Sequence, residues 1–276
     1  LSPFPFTGSA GISGSVVINS FLTLNAGTGS PPGRQYYPGG PLVYPSSSYN
    51  VALGQNNLQN NTTGMYNVAI GKRSLSTNTA GWANIGIGGG SLYYNTSGSG
   101  NIALGGALVE NTEGSSNIAL GSGALSQNKI GNSNIALGNQ SLGSNISGSS
   151  NIGIGGSALY YNTTGYKNIG IGPYSLYYNT TGGYNVALGN RALYSNTIGE
   201  HNVALGSGAL SQNTIGSHNI GLGYNVNPGG FSGSVIIGSE AAATTNGQLS
   251  LGSTAHPIGP ITSEAVTSDR TLQIRL

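Results

Sequence analysis

Residues 168–184 have the sequence NIGIGPYSLYYNTTGGY and residues 185–201 have NVALGNRALYSNTIGEH, so one pattern returns after 17 residues. Asparagine opens each copy, and the step of 17 holds from Asn50 to Asn219 apart from one step of 16 after Asn101. A repeat of this kind is typical of a solenoid, because units that cannot bury a core alone become stable when they stack. The sequence therefore predicts an all-β fold, a parallel β-solenoid or β-roll of 17-residue coils.

The repeating unit is N-[IV]-[AG]-[IL]-G-x-x-[AS]-L-x-x-N-[TI]-x-G-x-x, numbered from its first Asn. Positions 2 and 4 are always Val, Ile or Leu, and we expect them to line the core because alternate strand residues share one face. Gly at position 5 fits a corner that a Cβ would strain. Leu at position 9 supplies a second core wall, while Asn at position 12 and Gly at position 15 predict a turn. We expect the two Asn columns to bond from rung to rung.

Position 3 is Ala or Gly in every copy, and the same alternation places it on the outer face of the strand. A stripe of small uncharged residues on that face would let another backbone approach closely. It therefore predicts the contact between the subunits of a homotrimer. The candidate interface residues are Ala52, Ala69, Gly86, Ala119, Ala136, Gly153, Gly170, Ala187 and Ala204.

These patterns divide the chain into four parts. Residues 1–49 contain one apolar strand followed by a Gly/Pro/Tyr-rich loop, and residues 50–223 contain the 17-residue repeats. In residues 224–255 the spacing between strand motifs shortens to 15 and then 14 residues. Residues 256–276 are predicted to form an extended tail.

The composition excludes several classes of function. Without cysteine the chain has no disulfide framework, no Cys-type zinc site and no thiol catalysis. A net charge of +2 is too dilute for nucleic-acid binding, and no apolar run is long enough to predict a membrane span. Only 5% of the residues are charged, which suits a stack in which like charges would face one another at every rung.

Ionisable side chains are also too sparse to predict a catalytic centre. His201 and His218 share position 17 in adjacent coils with no column of carboxylates beside them, which favours a solvated pair over a metal bridge. Glu110 and Glu113 fall in predicted turns without a cleft, unlike the carboxylate pair of a glycosidase. We therefore expect a non-enzymatic protein with no cofactor and no bound metal.

Tyrosine is the one conspicuous candidate for binding a ligand. It occupies positions 10 and 11 of several coils, so its rings should form columns along the stack. Such columns would suit the stacking of host sugar rings, with the hydroxyls as hydrogen-bonding groups. The pattern favours the alternative, in which the rings stack on one another or cover a neighbouring subunit. The candidate receptor or glycan contacts are Tyr93, Tyr94, Tyr160, Tyr161, Tyr177, Tyr178 and Tyr194.

The Asn and Thr columns suggest two further hypotheses. Thr at position 13 is similar to the regular array of an ice-binding solenoid, although Lys129 and Ile146 interrupt the column. Several Asn residues also open N-x-[ST] motifs, which a repeat rich in Asn and Thr produces by chance. These motifs include Asn95, Asn145, Asn162 and Asn179.

The motif N-[IV]-A-[IL]-G, followed by small residues and Leu, resembles the head repeats of YadA-like trimeric autotransporter adhesins, which form a left-handed parallel β-roll. The shorter steps at Ser234 and Gln248 match that repeat best. The 17-residue form, as in residues 168–182, looks more like the solenoid segments of bacteriophage and large-virus tail or surface fibres. The resemblance covers about residues 50–252.

Both of these families are homotrimers. The resemblance therefore implies a structural fibre protein on a virion surface that attaches to a host receptor or glycan. One alternative is a trimeric cell-surface adhesin of the autotransporter type, and another is an ice-binding or matrix-forming solenoid. The expected partners are further copies of this chain and a host surface glycan or receptor.

Overall fold

The computed structural model describes residues 42–43 and 49–253, which all belong to the larger of two units of the chain, residues 35–276. The predicted N-terminal strand, nearly all of the loop before residue 49 and the predicted tail at 256–276 lie outside the described residues. In residues 42–43 only the backbone is described.

One sheet contains every described strand, and its strands follow one another in chain order. The first pair is antiparallel and every later pair is parallel and in register, so that Ile152, for example, lies opposite Ile169. The strands are β1 (Leu42–Val43), β2 (Val51–Leu53), β3 (Val68–Ile70), β4 (Ile85–Ile87), β5 (Ile102–Leu104), β6 (Ile118–Leu120), β7 (Ile135–Leu137), β8 (Ile152–Ile154), β9 (Ile169–Ile171), β10 (Val186–Leu188), β11 (Val203–Leu205), β12 (Ile220–Leu222), β13 (Val235–Ile237) and β14 (Leu249–Leu251).

This arrangement confirms the predicted parallel β-solenoid. Each strand from β2 to β14 is three residues long and is the only strand of its coil, so every coil adds one rung to the sheet. The last coils are shorter than the others, because β13 and β14 start 15 and 14 residues after the preceding strand. Among residues 49–253 there is no helix, and so none that is long and apolar enough to cross a membrane.

The predicted orientation of the strands is wrong. In nearly every strand the middle residue, at position 3, is buried, while positions 2 and 4 are partly or largely exposed. The coil is too thin for large side chains on the inner face. A Cβ added to Gly170 would lie 2.9 Å from Oγ of Ser175 and 3.4 Å from Cδ1 of Leu159. Ala or Gly therefore fills this position in β2 to β12, opposite the Leu column, whereas β13, beyond the end of that column, buries Ile236.

The proposed trimer interface must be corrected for the same reason. All nine candidates are buried within their own chain, so another subunit has no access to them. The residues concerned are Ala52, Ala69, Gly86, Ala119, Ala136, Gly153, Gly170, Ala187 and Ala204. The outer face of the strand instead carries the larger aliphatic side chains of positions 2 and 4.

The core of each coil from β3 to β11 contains one Leu, small residues and two Asn side chains. Leu159, for example, is fully buried, and so are Asn151 and Asn162 of the same coil. Ten Leu residues of this column have a left-handed backbone, with φ from 46° at Leu58 to 56° at Leu159. Leu rarely adopts this conformation, so the sequence pattern gave no indication of it.

The two Asn columns bond from coil to coil, as predicted. At position 1, Nδ2 of Asn151 donates to Oδ1 of Asn134 at 3.2 Å and to the carbonyl of Gly165 at 2.8 Å. At position 12, Nδ2 of Asn162 donates to Oδ1 of Asn145 and to the same Gly165 carbonyl, both at 2.9 Å. These bonds satisfy polar groups that would otherwise be buried without partners.

Candidate functional site

Two exposed surfaces are candidates for function. The first, called here the strand face, consists of the side chains at positions 2 and 4 of strands β2 to β14. Each of these side chains is Val, Ile or Leu. Ile171 and Leu188, in neighbouring coils, are 39% and 37% exposed. Because the strands are in register, the side chains form two continuous aliphatic rows without a charged residue along the described coils.

The second surface, called here the tyrosine plate, consists of Tyr160, Tyr161, Tyr174, Tyr177, Tyr178 and Tyr194. Position 10 gives one column of parallel rings, with centroids 5.6 Å apart between the first pair and 5.4 Å apart between the second. Position 11 gives a second column of two rings, Tyr161 and Tyr178, with centroids 5.4 Å apart and planes within 3°. The two columns meet almost at right angles, at 84° within the middle coil.

The inner tyrosines make the mutual ring contacts that the sequence pattern favours. Tyr177 lies between Tyr160 and Tyr194 and also meets Tyr161, Tyr174 and Tyr178 edge to face. Contacts of this kind stabilise aromatic clusters beyond the burial of area. The inner rings therefore stack on one another and are half-buried.

The structure separates the predicted tyrosines into two groups. Five of them lie in the plate, whereas Tyr93 and Tyr94 form a separate perpendicular pair with centroids 4.5 Å apart. Two residues at the plate were not predicted. Tyr174, at position 7, packs against Tyr177. Arg191, at position 7 of the next coil, has its guanidinium carbon 5.4 Å from the centre of the Tyr194 ring. Both residues occupy position 7, and this shared position was the feature of the sequence that could have linked them to the plate.

The environment of the plate raises two tyrosine pKa values. Burial is the main cause at Tyr177, and the neighbouring Tyr161 raises its pKa further by charge and by a hydrogen bond. Burial also raises the pKa of Tyr194, helped by a hydrogen bond with Tyr178 and opposed by the charge of Arg191. Both hydroxyls therefore stay protonated, and able to donate, above the ordinary pKa of 10.0.

We expect the plate to lose stability in alkali. A raised folded pKa means that the folded state holds its proton more tightly, so the stabilisation is complete below pH 10 and disappears as the pH rises through the folded value. Titration of phenolate absorbance should show one late-ionising tyrosine fewer in Tyr177→Phe than in the natural chain. If the tyrosine missing from the Tyr177→Phe titration is instead one that ionises at or below pH 10, the packing of Tyr177 among its neighbours is contradicted.

The histidines form part of another column, at position 17. The rings of Tyr184, His201 and His218 are stacked, with centroids 4.7 Å and 5.0 Å apart. Nζ of Lys167 lies 4.9 Å from the centre of the Tyr184 ring. Within residues 49–253 no group of three or more His, Cys, Asp or Glu side chains is placed to hold a metal ion.

The remaining polar columns are engaged within the fold. The four Asn residues of the N-x-[ST] motifs, Asn95, Asn145, Asn162 and Asn179, are fully buried, so a glycan has no access to them in the folded chain. At position 13, Oγ1 of Thr163 donates to the carbonyl of Thr180 at 3.1 Å, and Thr180 bonds the next coil in the same way. The threonine hydroxyls thus use their protons to connect coils.

Comparison of the chain with protein-family models, with curated proteins and with solved structures gives no match.

Proposed function

We propose that this chain is a structural, non-enzymatic segment of a fibre, and that copies of it associate through the strand face. The observation that supports this proposal is the pair of uncovered aliphatic rows along the coils β2 to β14. Contiguous apolar surface on this scale marks an association site, because a soluble monomer rarely leaves it open to water.

The geometry of the strand face favours another copy of the chain as the partner. The rows repeat with every coil, at the spacing of adjacent strands of about 4.8 Å. Only a partner with the same period can fill the grooves between rungs along the whole length of the strand face. A second copy of the chain has that period because it has the same repeats. Since the face carries no charge, parallel copies meet without repulsion. We propose three copies because both of the fibre families that the repeat resembles are homotrimers.

Charges placed on the strand face should separate the copies. Ile154→Lys combined with Leu188→Lys puts two ammonium groups on position 4 of coils two apart, and each would be buried without a partner in the assembly. We expect light scattering to give about three times 27.7 kDa for the natural chain and 27.7 kDa for this variant.

The matched control carries the same charges on another exposed surface of the same two coils. Thr164→Lys and Ile198→Lys lie at position 14, and both natural side chains are exposed. This control should keep the mass of the natural chain. A natural chain that is monomeric in dilute buffer, or a strand-face variant that still associates, contradicts the proposal.

We further propose that the fibre has an attachment role in which the tyrosine plate contacts a host surface glycan or receptor. The plate supports this because tyrosine offers a large, rigid and partly polar contact area. The resemblance of the repeat to viral fibres supports a place on a virion surface, and the autotransporter resemblance supports the alternative, a cell-surface adhesin. Either setting uses the same two surfaces.

A further inference from the structure

We propose that the end of the tyrosine plate nearest the C terminus, around Arg191, binds an oligosaccharide that carries a carboxylate. This inference rests on the attachment role proposed above and specifies its ligand class. The residues that carry it are Arg191, Tyr178 and Tyr194.

The columns of the plate end at this point. Tyr178 stacks on Tyr161 on one side, but the next coil has Ser195 at the equivalent position. Tyr194 is followed by Ser211 in the same way. The Tyr178 and Tyr194 rings lie 5.2 Å apart at 81°, so two perpendicular rings border the small serines. Unlike Tyr177, which has a stacked ring on both sides, these two rings have a serine in place of an aromatic neighbour on one side of their column, and we place the sugar residue there.

The charge of this end favours an anion. Arg191 is exposed and lies against Tyr194. The outer corner of each of the four coils from Asn151 to Asn202, at positions 5 to 11, contains no Asp or Glu. A guanidinium presents a planar fork of donors that matches a carboxylate. The protonated hydroxyls of the plate add neutral donors beside it, which suit the hydroxyl groups of a sugar.

The spacing favours a chain of sugars. Tyr160, Tyr177 and Tyr194 present equivalent rings whose centroids are 5.6 Å and 5.4 Å apart. This is comparable with the length of one pyranose residue along an oligosaccharide. A ligand lying along the coil axis would therefore meet one tyrosine rung per sugar, with its carboxylate at Arg191.

The other tyrosine pair lacks these properties. Tyr93 and Tyr94 stand alone as a perpendicular pair, with no further ring stacked on either in the adjacent coils. The coil that follows them is one residue shorter before Leu108, so Glu110 lies at the position of Tyr94. A carboxylate there would repel an anionic ligand, so we assign the site to the plate alone.

Calorimetry on the intact chain can test the site with 3′-sialyllactose and digalacturonate as carboxylated probes and lactose as the neutral match. We expect both acids to bind and lactose to bind at least about tenfold more weakly, the effect expected for a lost charge-assisted hydrogen bond. Arg191→Gln should reduce the two acids to the level of lactose. Tyr178→Ser should weaken all three probes because it removes a ring that borders the site.

The control is Arg73→Gln, which removes an exposed arginine from the same position of another coil and should leave binding unchanged. The inference is wrong if lactose binds as well as the acids, if Arg191→Gln changes nothing, or if none of the three probes binds. Light scattering on the same samples keeps the two proposals separate. Chains with the mass of the assembly that bind no carboxylated probe would leave the fibre proposal standing and overturn this one.

Discussion

Replacing Asn151 by Asp is expected to lower the free energy of unfolding by about 3–5 kcal/mol, although the side chain keeps its size and shape. Asn151 is fully buried in the position 1 column. Its Oδ1 accepts the backbone N–H of Asn168 at 3.0 Å and the amide of that residue at 3.2 Å, so a carboxylate would keep both of these bonds.

The stability is lost because the substitution removes the N–H donors of the side-chain amide. Nδ2 of Asn151 donates to Oδ1 of Asn134 and to the carbonyl of Gly165. A carboxylate has no proton for either acceptor, so it would face two oxygens at hydrogen-bond distance while carrying a buried charge of its own. These interactions and burial would raise the pKa of the introduced carboxyl above its ordinary value.

The pH dependence of the stability loss shows whether the buried carboxylate charge causes it. A raised folded pKa makes the defect complete at neutral pH and smaller as the pH falls and the carboxyl binds its proton. Denaturant unfolding at matched protein concentration should therefore show a large loss at pH 7 and a smaller loss near pH 4. Asn139→Asp is the control, since Asn139 is exposed and should lose less than about 0.5 kcal/mol. Equal stability of the two variants at pH 7 would contradict the role given to the Asn column.

The repeat alone determines much of this fold. The period of 17, the corner glycines and the two Asn columns predict the coil, its parallel strand and its rung-to-rung bonding. Each follows from local chemistry, because Gly alone fits the corner backbone and Asn has both a donor and an acceptor to pass between rungs.

The sequence predicts less reliably which face of the strand points into the core, because a period of two fits either face. Ordinary hydrophobic reasoning places the larger side chains inside, and the narrow coil reverses that choice. One signal was present, since Asn151 and Gly153 are two residues apart and must share a face. If the Asn column is buried, position 3 is buried with it, and Ile152 and Ile154 must point outward.

The tyrosine plate could be predicted from the sequence only in part. Columns at positions 10 and 11 follow from the period, but the angle between them depends on side-chain packing. The contact of Tyr174 and Arg191 with the plate depends on how the corner at position 7 turns, and that residue has φ of 57° in one coil and 54° in the next. A left-handed Tyr or Arg is uncommon, so a sequence pattern gives little reason to expect it.

Replacing Gly155 by Ala should destabilise the chain about as strongly, by roughly 3–5 kcal/mol, although it adds a single methyl group. Gly155 is the position 5 corner after strand β8 and has φ of 127°, a conformation that is essentially restricted to glycine. An added Cβ would also lie 2.7 Å from the carbonyl carbon of Gly172 and 3.0 Å from the nitrogen of Pro173.

Both of these atoms belong to the backbone of the next coil, so no side chain can rotate out of the way. The coils would have to separate at this rung, which would stretch the β8–β9 pairing and the Asn bonds beside it. Since each coil is held only by its neighbours, a defect in the middle of the stack weakens the contacts on which both halves depend.

The adjacent residue provides the control. Gly156 does not have a left-handed backbone, and a Cβ added there would have no atom within 4 Å. Gly156→Ala should therefore leave stability unchanged or raise it by up to about 1 kcal/mol, because Ala restricts the unfolded chain. Denaturation midpoints of the two variants, measured side by side, separate a requirement for glycine at the corner from a general sensitivity of this loop. If Gly155→Ala is no less stable than Gly156→Ala, coil spacing does not depend on the corner glycine, and the close approach of successive corners is not what holds the stack in register.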